Sequence, residues 1–154
     1  MEKEKSIEVL NTLIEINNDR IEGYNTAVEE TDEEDLKSLF YKLARTSQKC
    51  KAALVAEVER LGGTPDEGTK TTGKFFRVWM DVKAALTGKD RKAILDSCQY
   101  GEDVAVDTYN KAMINHPKDL NIEQQKMIGE QCDLIRADHD TVKRMRDALT
   151  ELAK

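Results

Sequence analysis

Four polar residues lie where the apolar pattern of the sequence requires core side chains. Asn17, Ser47, Glu102 and His139 each fall near the middle of a run of apolar residues spaced three and four positions apart. A carboxylate and an imidazole in such positions could bind a metal ion or transfer protons, and a buried carboxylate is costly unless it is paired. We therefore expect these side chains to meet in the protein interior, with Glu102 bonded to a donor.

Long helices must position these residues, because each apolar run persists for about 20 residues or more, which is typical of bundle helices. The predicted helices cover residues 5–30, 33–61, 90–115 and 121–152. The connection over 62–89 contains a short amphipathic segment that predicts a helix over 74–86. A connection of this length allows the second and third helices to run parallel. The sequence thus predicts one all-α domain over 1–154, a four-helix bundle with a long crossover.

Local start and stop signals agree with these limits. Asn121 is followed three residues later by Gln124, which is the spacing of a capping box at the start of the last helix. Thr31 precedes an acidic stretch and offers an N-cap for the second helix. The breaks between helices one and two and between helices three and four are short, so each pair is expected to form an antiparallel hairpin.

Composition limits what such helices could do. The chain has 154 residues, a formal net charge of −6 and 3 cysteines, which indicates one domain that needs neither disulfides nor metals to hold its core. Cys50, Cys98 and Cys132 lack the spacing of a zinc site, and we expect them to be small buried side chains in a reducing cytoplasm. The negative charge argues against nucleic-acid binding. No apolar run is long enough for a signal peptide or a membrane span.

The chain also contains a weak internal repeat. The Tyr-Asn-Thr-Ala-Val stretch that begins at Tyr24 resembles the Tyr-Asn-Lys-Ala-Met stretch that begins at Tyr109. Seven residues before each tyrosine lie Asn17 and Glu102, both on the predicted core face. A second alignment, of the second helix with the last, pairs Gln48 and Lys51 with Arg136 and His139. The repeat indicates two related helical hairpins around a pseudo-two-fold axis.

A Glu followed by six residues and a Tyr resembles the ferritin-like superfamily, whose bundles often carry Glu on two helices and Glu-x-x-His on two others. More closely, the whole chain is similar to a family of small bacterial ferritin-like four-helix-bundle proteins of unknown function. The residues that carry this similarity are found in the segments 19–24, 61–65, 101–109, 139–140 and 146–147. The resemblance implies a fold and no reaction.

Most of the metal-ligand positions of the superfamily hold residues of other types in this sequence. The resemblance places Glu102 and His139 at ligand positions, but it places Asn17 where a second Glu is expected. The positions of the remaining ligands fall on Gln48, Lys51 and Arg136. Amide and cationic side chains do not replace the carboxylate and imidazole donors that iron prefers.

We therefore expect no cofactor. The prediction is a buried polar network at the former metal site, formed by Asn17, Ser47, Gln48, Lys51, Glu102, Arg136 and His139. Lys51, Arg136 or His139 would supply the donor to Glu102. The alternative is one iron or manganese ion held weakly by Glu102 and His139.

Three functional hypotheses follow. The first is a non-enzymatic structural or interaction protein that forms a homodimer or small homo-oligomer, with an unidentified protein partner and no contact with nucleic acid or membrane. The second is a ferritin-like iron or manganese store or oxidoreductase. The third is a small-molecule or lipid carrier with a cleft lined by Phe76 and Trp79. No phosphate-binding loop, nucleophile elbow or zinc-protease motif is present in the sequence.

Overall fold

The computed structural model describes residues 2–68 and 74–152, with side chains from 3–68 and 81–149. The described residues form an all-α structure without strands. Its helices are α1 Glu2–Glu30, α2 Glu34–Arg60, α3 Lys74–Thr87, α4 Arg91–Asn115 and α5 Ile122–Leu152. These bounds differ from the predicted ones by at most three residues. None of the described helices combines the length and apolar content needed to cross a bilayer.

Side-chain caps explain where two helices begin. The amide oxygen of Asn121 accepts from the Gln124 backbone N–H at 2.7 Å, and Gln124 Oε1 accepts from the Asn121 N–H at 3.0 Å. This reciprocal pair is the predicted capping box. Asp90 caps α4 by accepting from the backbone N–H of Ala93. The predicted cap of α2 is displaced, because the N-cap residue is Glu33 and it makes no side-chain cap bond.

Contacts between the helices give their directions. Gly63, just after α2, lies against Ile7 near the start of α1, so α1 and α2 are antiparallel. The helices α4 and α5 also run antiparallel: the later Asn110 of α4 bonds to the earlier Arg136 of α5, and the earlier Asp96 pairs with the later Arg146. Each of these helix pairs is therefore an antiparallel hairpin. We call them the first hairpin, α1 and α2, and the second hairpin, α4 and α5.

The contacts between the two hairpins are also antiparallel. Arg20 of α1 bonds to Glu102 of α4, while the earlier Asn17 bonds to the later Tyr109. Because α2 and α4 both run opposite to α1, they run in the same direction. At the two ends of the connection, Gly63 lies near the start of α1, and Arg91 bonds to Glu33 at the start of α2.

The core consists of two apolar clusters with polar side chains between them. One cluster centres on Leu13, Leu54 and Ile135 and the other on Phe40, Leu95 and Val142, all of which are buried. The buried polar side chains between the clusters come from all four long helices. They are Asn17, Arg20, Ser47, Glu102, Gln131 and Asp138. The fold therefore brings polar groups from separated parts of the chain into one interior layer.

The connection is fixed to α1 where it leaves α2. Asn11 donates to the Thr64 carbonyl at 3.1 Å and accepts from the Asp66 backbone N–H at 2.9 Å. Asn18 donates to the Gly68 carbonyl at 2.9 Å. Gly62 makes the turn with a φ of +83°, a conformation that favours glycine. The predicted carrier cleft depends on the side chains of Phe76 and Trp79, which lie outside the described residues.

Candidate functional site: a buried arginine cluster

The centre of the interior is occupied by Arg20, whose side chain is 0% exposed. Its Nε donates to Glu102 Oε2 at 2.9 Å, and its Nη2 donates to Glu102 Oε1 at 2.6 Å. This two-point bond matches the planar fork of a guanidinium to the two oxygens of a carboxylate. Arg20 and Glu102 therefore form a buried ion pair that joins α1 to α4.

Three further side chains complete the surroundings of this pair. Arg20 also donates through Nη1 to the Ser47 hydroxyl of α2 and through Nη2 to Asp138 Oδ2 of α5 at 3.4 Å. The Tyr24 hydroxyl donates to Glu102 Oε2 at 3.0 Å, and the Tyr24 ring lies 5.6 Å from the Arg20 Cζ atom. We call Arg20, Tyr24, Ser47, Glu102 and Asp138 the Arg20 cluster; its members come from all four long helices.

The protonation states within the Arg20 cluster follow from burial and neighbouring charge. Burial alone would lower the pKa of Arg20, but Glu102, Tyr24 and Asp138 together raise the pKa above its ordinary value, so the guanidinium stays charged. Burial raises the pKa of Asp138 above its ordinary value, against the opposing effects of Thr46 and Arg20. Burial also raises the pKa of Tyr24, which keeps its proton to donate to Glu102. The cluster thus holds one permanent cation, and its hydroxyl groups are neutral.

A second, neutral set of buried polar groups lies one turn away along α1. The Tyr109 hydroxyl accepts from Asn17 Nδ2 at 2.7 Å and donates to Gln131 Oε1 at 2.8 Å. Gln131 Nε2 then donates to the Cys50 carbonyl at 3.2 Å. We call Asn17, Cys50, Tyr109 and Gln131 the Tyr109 chain. Among the described residues, Asn17 Oδ1 has no hydrogen-bond partner.

The two polar sets are related by the internal repeat. Tyr24 bonds to Glu102, and Tyr109 bonds to Asn17. Because Asn17 and Glu102 are equivalent positions, as are Tyr24 and Tyr109, each tyrosine contacts the same repeat position in the other hairpin. The pseudo-two-fold relation expected from the repeat therefore extends to the buried hydrogen bonds.

The structure buries three of the predicted network residues, two of them in one cluster, and places the rest elsewhere. Ser47 and Glu102 belong to the Arg20 cluster, and Asn17 belongs to the Tyr109 chain. Gln48 is exposed and Lys51 is partly exposed on α2. The predicted donors to Glu102, which were Lys51, Arg136 and His139, are wrong because Arg20 donates two bonds to the carboxylate and Tyr24 donates a third.

His139 and Arg136 lie at a surface groove between α4 and α5 instead. His139 Nε2 is 2.6 Å from Asp103 Oδ1, and its side chain is 21% exposed. Arg136 is exposed and donates to Asn110 Oδ1 at 2.9 Å. Both line a groove of about 350 Å³. The structure therefore gives Glu102 and His139 different surroundings, one inside the bundle and one at its surface.

Sequence reasoning missed Arg20, Asp138 and Gln131. Arg20 lies three residues after Asn17 and four before Tyr24, so it shares their helix face. Asp138 and Gln131 are likewise seven residues apart on one face of α5. This spacing was a usable signal, but charged residues on a helix are usually assigned to the surface.

The residues present do not fit a ferritin-type metal centre. Both oxygens of Glu102 already accept from the Arg20 guanidinium, whose positive charge repels a metal cation. The second carboxylate, Asp138, also contacts Arg20, and no histidine belongs to the cluster. Across the part of the chain that the structure describes, no group of three or more His, Cys, Asp or Glu side chains is arranged to hold a metal ion.

The cysteines offer no reactive thiolate. Cys50, Cys98 and Cys132 are all free and buried, as expected from the sequence. Burial raises the pKa of Cys50 to about 11 and raises that of Cys98 further. A thiol that holds its proton this firmly is a poor nucleophile near neutral pH.

Comparison with known proteins places the chain in a family without assigning a reaction. No curated protein matches it. One family model, described as a domain of unknown function, DUF2383, matches residues 5–115, which run from the first turn of α1 to the end of α4 and include the Arg20–Glu102 pair. Because the match spans more than half of the chain, this protein belongs to the DUF2383 family.

Proposed function

We propose that this protein is a ferritin-like four-helix bundle whose metal site has been replaced by an arginine, and that it acts as a homo-oligomeric structural or interaction protein rather than as an enzyme. The observation that carries this proposal is the buried Arg20–Glu102 pair between the four long helices. A fixed guanidinium satisfies the carboxylate that a metal would otherwise neutralise, and it needs no cofactor to do so.

The course of the chain supports the ferritin-like assignment. Parallel α2 and α4, with a long connection between them, match bundles that have one crossover. Glu102 lies at the position that the resemblance gives to a ligand on the third long helix. The equivalent position in the first hairpin holds Asn17, which bonds to Tyr109. An amide thus occupies one position that the resemblance gives to a ligand, and at the other position Glu102 is bonded to the Arg20 guanidinium.

The chemistry of the interior supports a non-enzymatic role. Burial raises the pKa values of Tyr24 and Tyr109 well above their ordinary range, so neither hydroxyl ionises near neutral pH. The Glu102 carboxylate is closed off by Arg20 and Tyr24. A general base needs an available lone pair near a substrate, and this carboxylate has none directed to solvent. The three buried, reduced thiols fit a cytoplasmic protein.

Large apolar side chains at the surface support association. Ile114 is 74% exposed and Ile122 is 84% exposed, near the turn between α4 and α5. Tyr41, Tyr100 and Leu134 are exposed as well. Aromatic residues are enriched at protein interfaces. We therefore expect a homodimer or small homo-oligomer, with no requirement for nucleic acid.

Elemental analysis and light scattering test the two parts of this proposal. Protein purified without chelators should contain far less than one equivalent of iron or manganese, and light scattering after size exclusion should give more than one subunit. The metal content of the unmodified protein is compared with that of Arg20→Ala. This variant removes the guanidinium but keeps the two carboxylates, Glu102 and Asp138. Stoichiometric iron or manganese in the unmodified protein, lost in Glu102→Ala, would revive the metal-storage or oxidoreductase hypothesis. A strictly monomeric chain would contradict the association role.

A further inference from the structure

We propose that two copies of this chain associate through the outer faces of their first hairpins, so that α2 of each copy lies on α1 of the other. The proposal rests on the association role given above and names the surface and its partner. The surface is the solvent-facing side of the first hairpin, and the partner is a second copy of the chain. The attraction comes from opposite charges on the two helices of that hairpin.

The outer face of α2 is basic. From residue 36 to residue 56 the chain has five basic residues and no acidic residue, although its formal net charge is −6. The exposed cations of this stretch are Lys42, Arg45 and Lys49. Tyr41 lies beside them and is 55% exposed. An exposed tyrosine near an arginine has the composition of an interface, since both residue types are enriched there.

The outer face of α1 is acidic. Glutamates recur every seven residues, a spacing that keeps them on one side of a helix. They are Glu8, Glu15, Glu22 and Glu29. Glu15 is half-buried and the other three are exposed. From residue 6 to residue 36 the only basic residue is Arg20, which is fully buried. The exposed part of α1 in this range therefore carries only negative charge.

Charges on the two helices point away from the core. Glu22 lies midway between Arg20 and Tyr24, which are both buried. Arg45 lies two residues before the buried Ser47. A step of two residues turns a helix by about 200°, so Glu22 and Arg45 both point outward. Neither of them forms a salt bridge with another side chain in the described parts of the chain, 3–68 and 81–149.

Glu22 and Arg45 also lie at the same level of the hairpin. Arg20 of α1 bonds to Ser47 of α2. Because the helices are antiparallel, two residues after Arg20 and two residues before Ser47 are the same distance along the hairpin. A two-fold axis parallel to the helices places α2 of one copy on α1 of the other and keeps every residue at its level. It therefore brings Arg45 of each copy opposite Glu22 of the other.

The shapes of the two outer faces agree with this arrangement. Asn11 and Asn18 bond to the segment 64–68, so this segment lies along the first half of α1 and raises the surface there. At the same level, the outer side of α2 has only small side chains. They are Ala52, Ala53 and Ala56, and all three are exposed. The same two-fold axis places these alanines over the raised segment of the other copy.

The paired charges favour a second copy over other anionic partners. A nucleic acid or an anionic membrane would be attracted by α2 and repelled by the neighbouring α1. Like charges that face each other across an interface cost several kcal/mol and exclude such partners. A second copy presents the opposite charge to both helices at once.

Reversing one charge on each helix tests this contact. In a two-fold dimer, Arg45→Glu places two glutamates opposite each other at both contacts, and Glu22→Arg does the same with two arginines. Each variant alone should dimerise at least about tenfold more weakly than the unmodified chain. An equal mixture of the two can form a heterodimer in which each contact again pairs an arginine with a glutamate, so the mixture should recover the affinity of the unmodified chain.

Analytical ultracentrifugation at low salt measures these affinities, and native mass spectrometry identifies the heterodimer. Lys126→Glu and Asp133→Arg are matched control variants, since they reverse exposed charges on α5. Neither should change dimerisation, alone or in a mixture. Circular dichroism checks that every variant remains helical. Adding salt should weaken the dimer of the unmodified chain, because exposed charges are screened.

The possible failures separate this contact from the association role. If Arg45→Glu and Glu22→Arg dimerise as the unmodified chain does, the contact is overturned and the association role stands. If both variants dimerise weakly and their mixture does not recover, the pairing of α2 with α1 is overturned. An unmodified chain that stays monomeric overturns both proposals.

Discussion

The Arg20 cluster and the Tyr109 chain satisfy buried polar groups in two different ways. In the Arg20 cluster, an ion pair made of two hydrogen bonds neutralises a carboxylate that has no access to water. In the Tyr109 chain, neutral amide and hydroxyl groups form a series of hydrogen bonds that links α1 to α4, α4 to α5, and α5 to α2. Removing Arg20 or Glu102 leaves an unpaired charge, whereas removing a member of the Tyr109 chain leaves an unpaired dipole. The comparison predicts that breaking the Arg20–Glu102 ion pair lowers the free energy of unfolding more than breaking a hydrogen bond of the Tyr109 chain.

The largest expected effect comes from removing the guanidinium. Arg20→Met keeps much of the side-chain volume but leaves Glu102 and Asp138 without a cation, and it should lower the free energy of unfolding by about 3–5 kcal/mol. Urea denaturation followed by circular dichroism measures this loss. The double variant Arg20→Met with Glu102→Leu should recover most of it, because an apolar pair needs no neutralisation. An equal loss in the single and double variants would contradict the ion-pair account.

Neutralising the carboxylate should have the next largest effect. Glu102→Gln preserves the shape of the side chain but removes the charge that Arg20 requires, and we expect a loss of about 2–3 kcal/mol. Asp107→Asn is a matched control, since Asp107 pairs with Lys111 at the surface, where both side chains are more than half exposed. That substitution should cost about 1 kcal/mol or less. Similar losses at the two positions would show that burial does not distinguish the pairs.

Removing one hydroxyl from each set should have a smaller effect. Tyr109→Phe leaves Gln131 Oε1 without its donor and leaves Asn17 Nδ2 with the Leu13 carbonyl alone, and it should cost about 1–3 kcal/mol. Tyr24→Phe should cost about 1 kcal/mol, because Glu102 keeps its two bonds from Arg20. Thermal and urea unfolding of the two variants gives the comparison directly. A greater loss for Tyr24→Phe would reverse the assignment of roles to the two tyrosines.

The smallest effect concerns pH and the second carboxylate of the Arg20 cluster. Because burial raises the pKa of Asp138, the folded chain holds this proton more tightly than the unfolded chain does. The contribution of Asp138 to stability therefore falls as the pH rises through its folded pKa. Asp138→Asn removes this dependence on pH. At pH 7 its free energy of unfolding should equal that of the unmodified protein or exceed it by less than about 1 kcal/mol.

Urea unfolding at several pH values checks this expectation. The advantage of the Asp138→Asn variant should shrink as the pH is lowered and Asp138 of the unmodified protein becomes protonated. An advantage that grows on acidification would mean that the folded pKa of Asp138 is lowered rather than raised.

The helices could be predicted from the sequence because their apolar spacing extends over many turns, and an error of one residue at an end changes little. The site could be predicted only in part because one residue along a helix turns a side chain by about 100°. Asp138 is buried in the Arg20 cluster, whereas His139, the next residue, lies in a surface groove. Ser47 and Gln48 differ in the same way. An alignment of repeats without a structure does not resolve such a rotation.

Arg20 was missed for another reason. Its burial depends on Glu102, which is distant in the sequence and comes close only when the hairpins pack. The spacing from Asn17 and Tyr24 placed Arg20 on the core face, but helix periodicity alone does not show whether a buried guanidinium finds a carboxylate. Pairing across the bundle is a tertiary property, and it decides the chemistry of the site.

The turn after α2 has a consequence for how relatives of this chain can vary. A methyl group added at Gly63 would lie 2.7 Å from the Ile7 Cδ1 atom, and two other carbon atoms of Ile7 would be at 3.0 Å. A larger residue at position 63 therefore requires either a shift of the Ile7 side chain or a smaller residue at position 7. We expect substitutions at these two positions to be correlated during evolution, although nearly the whole first hairpin separates them along the chain.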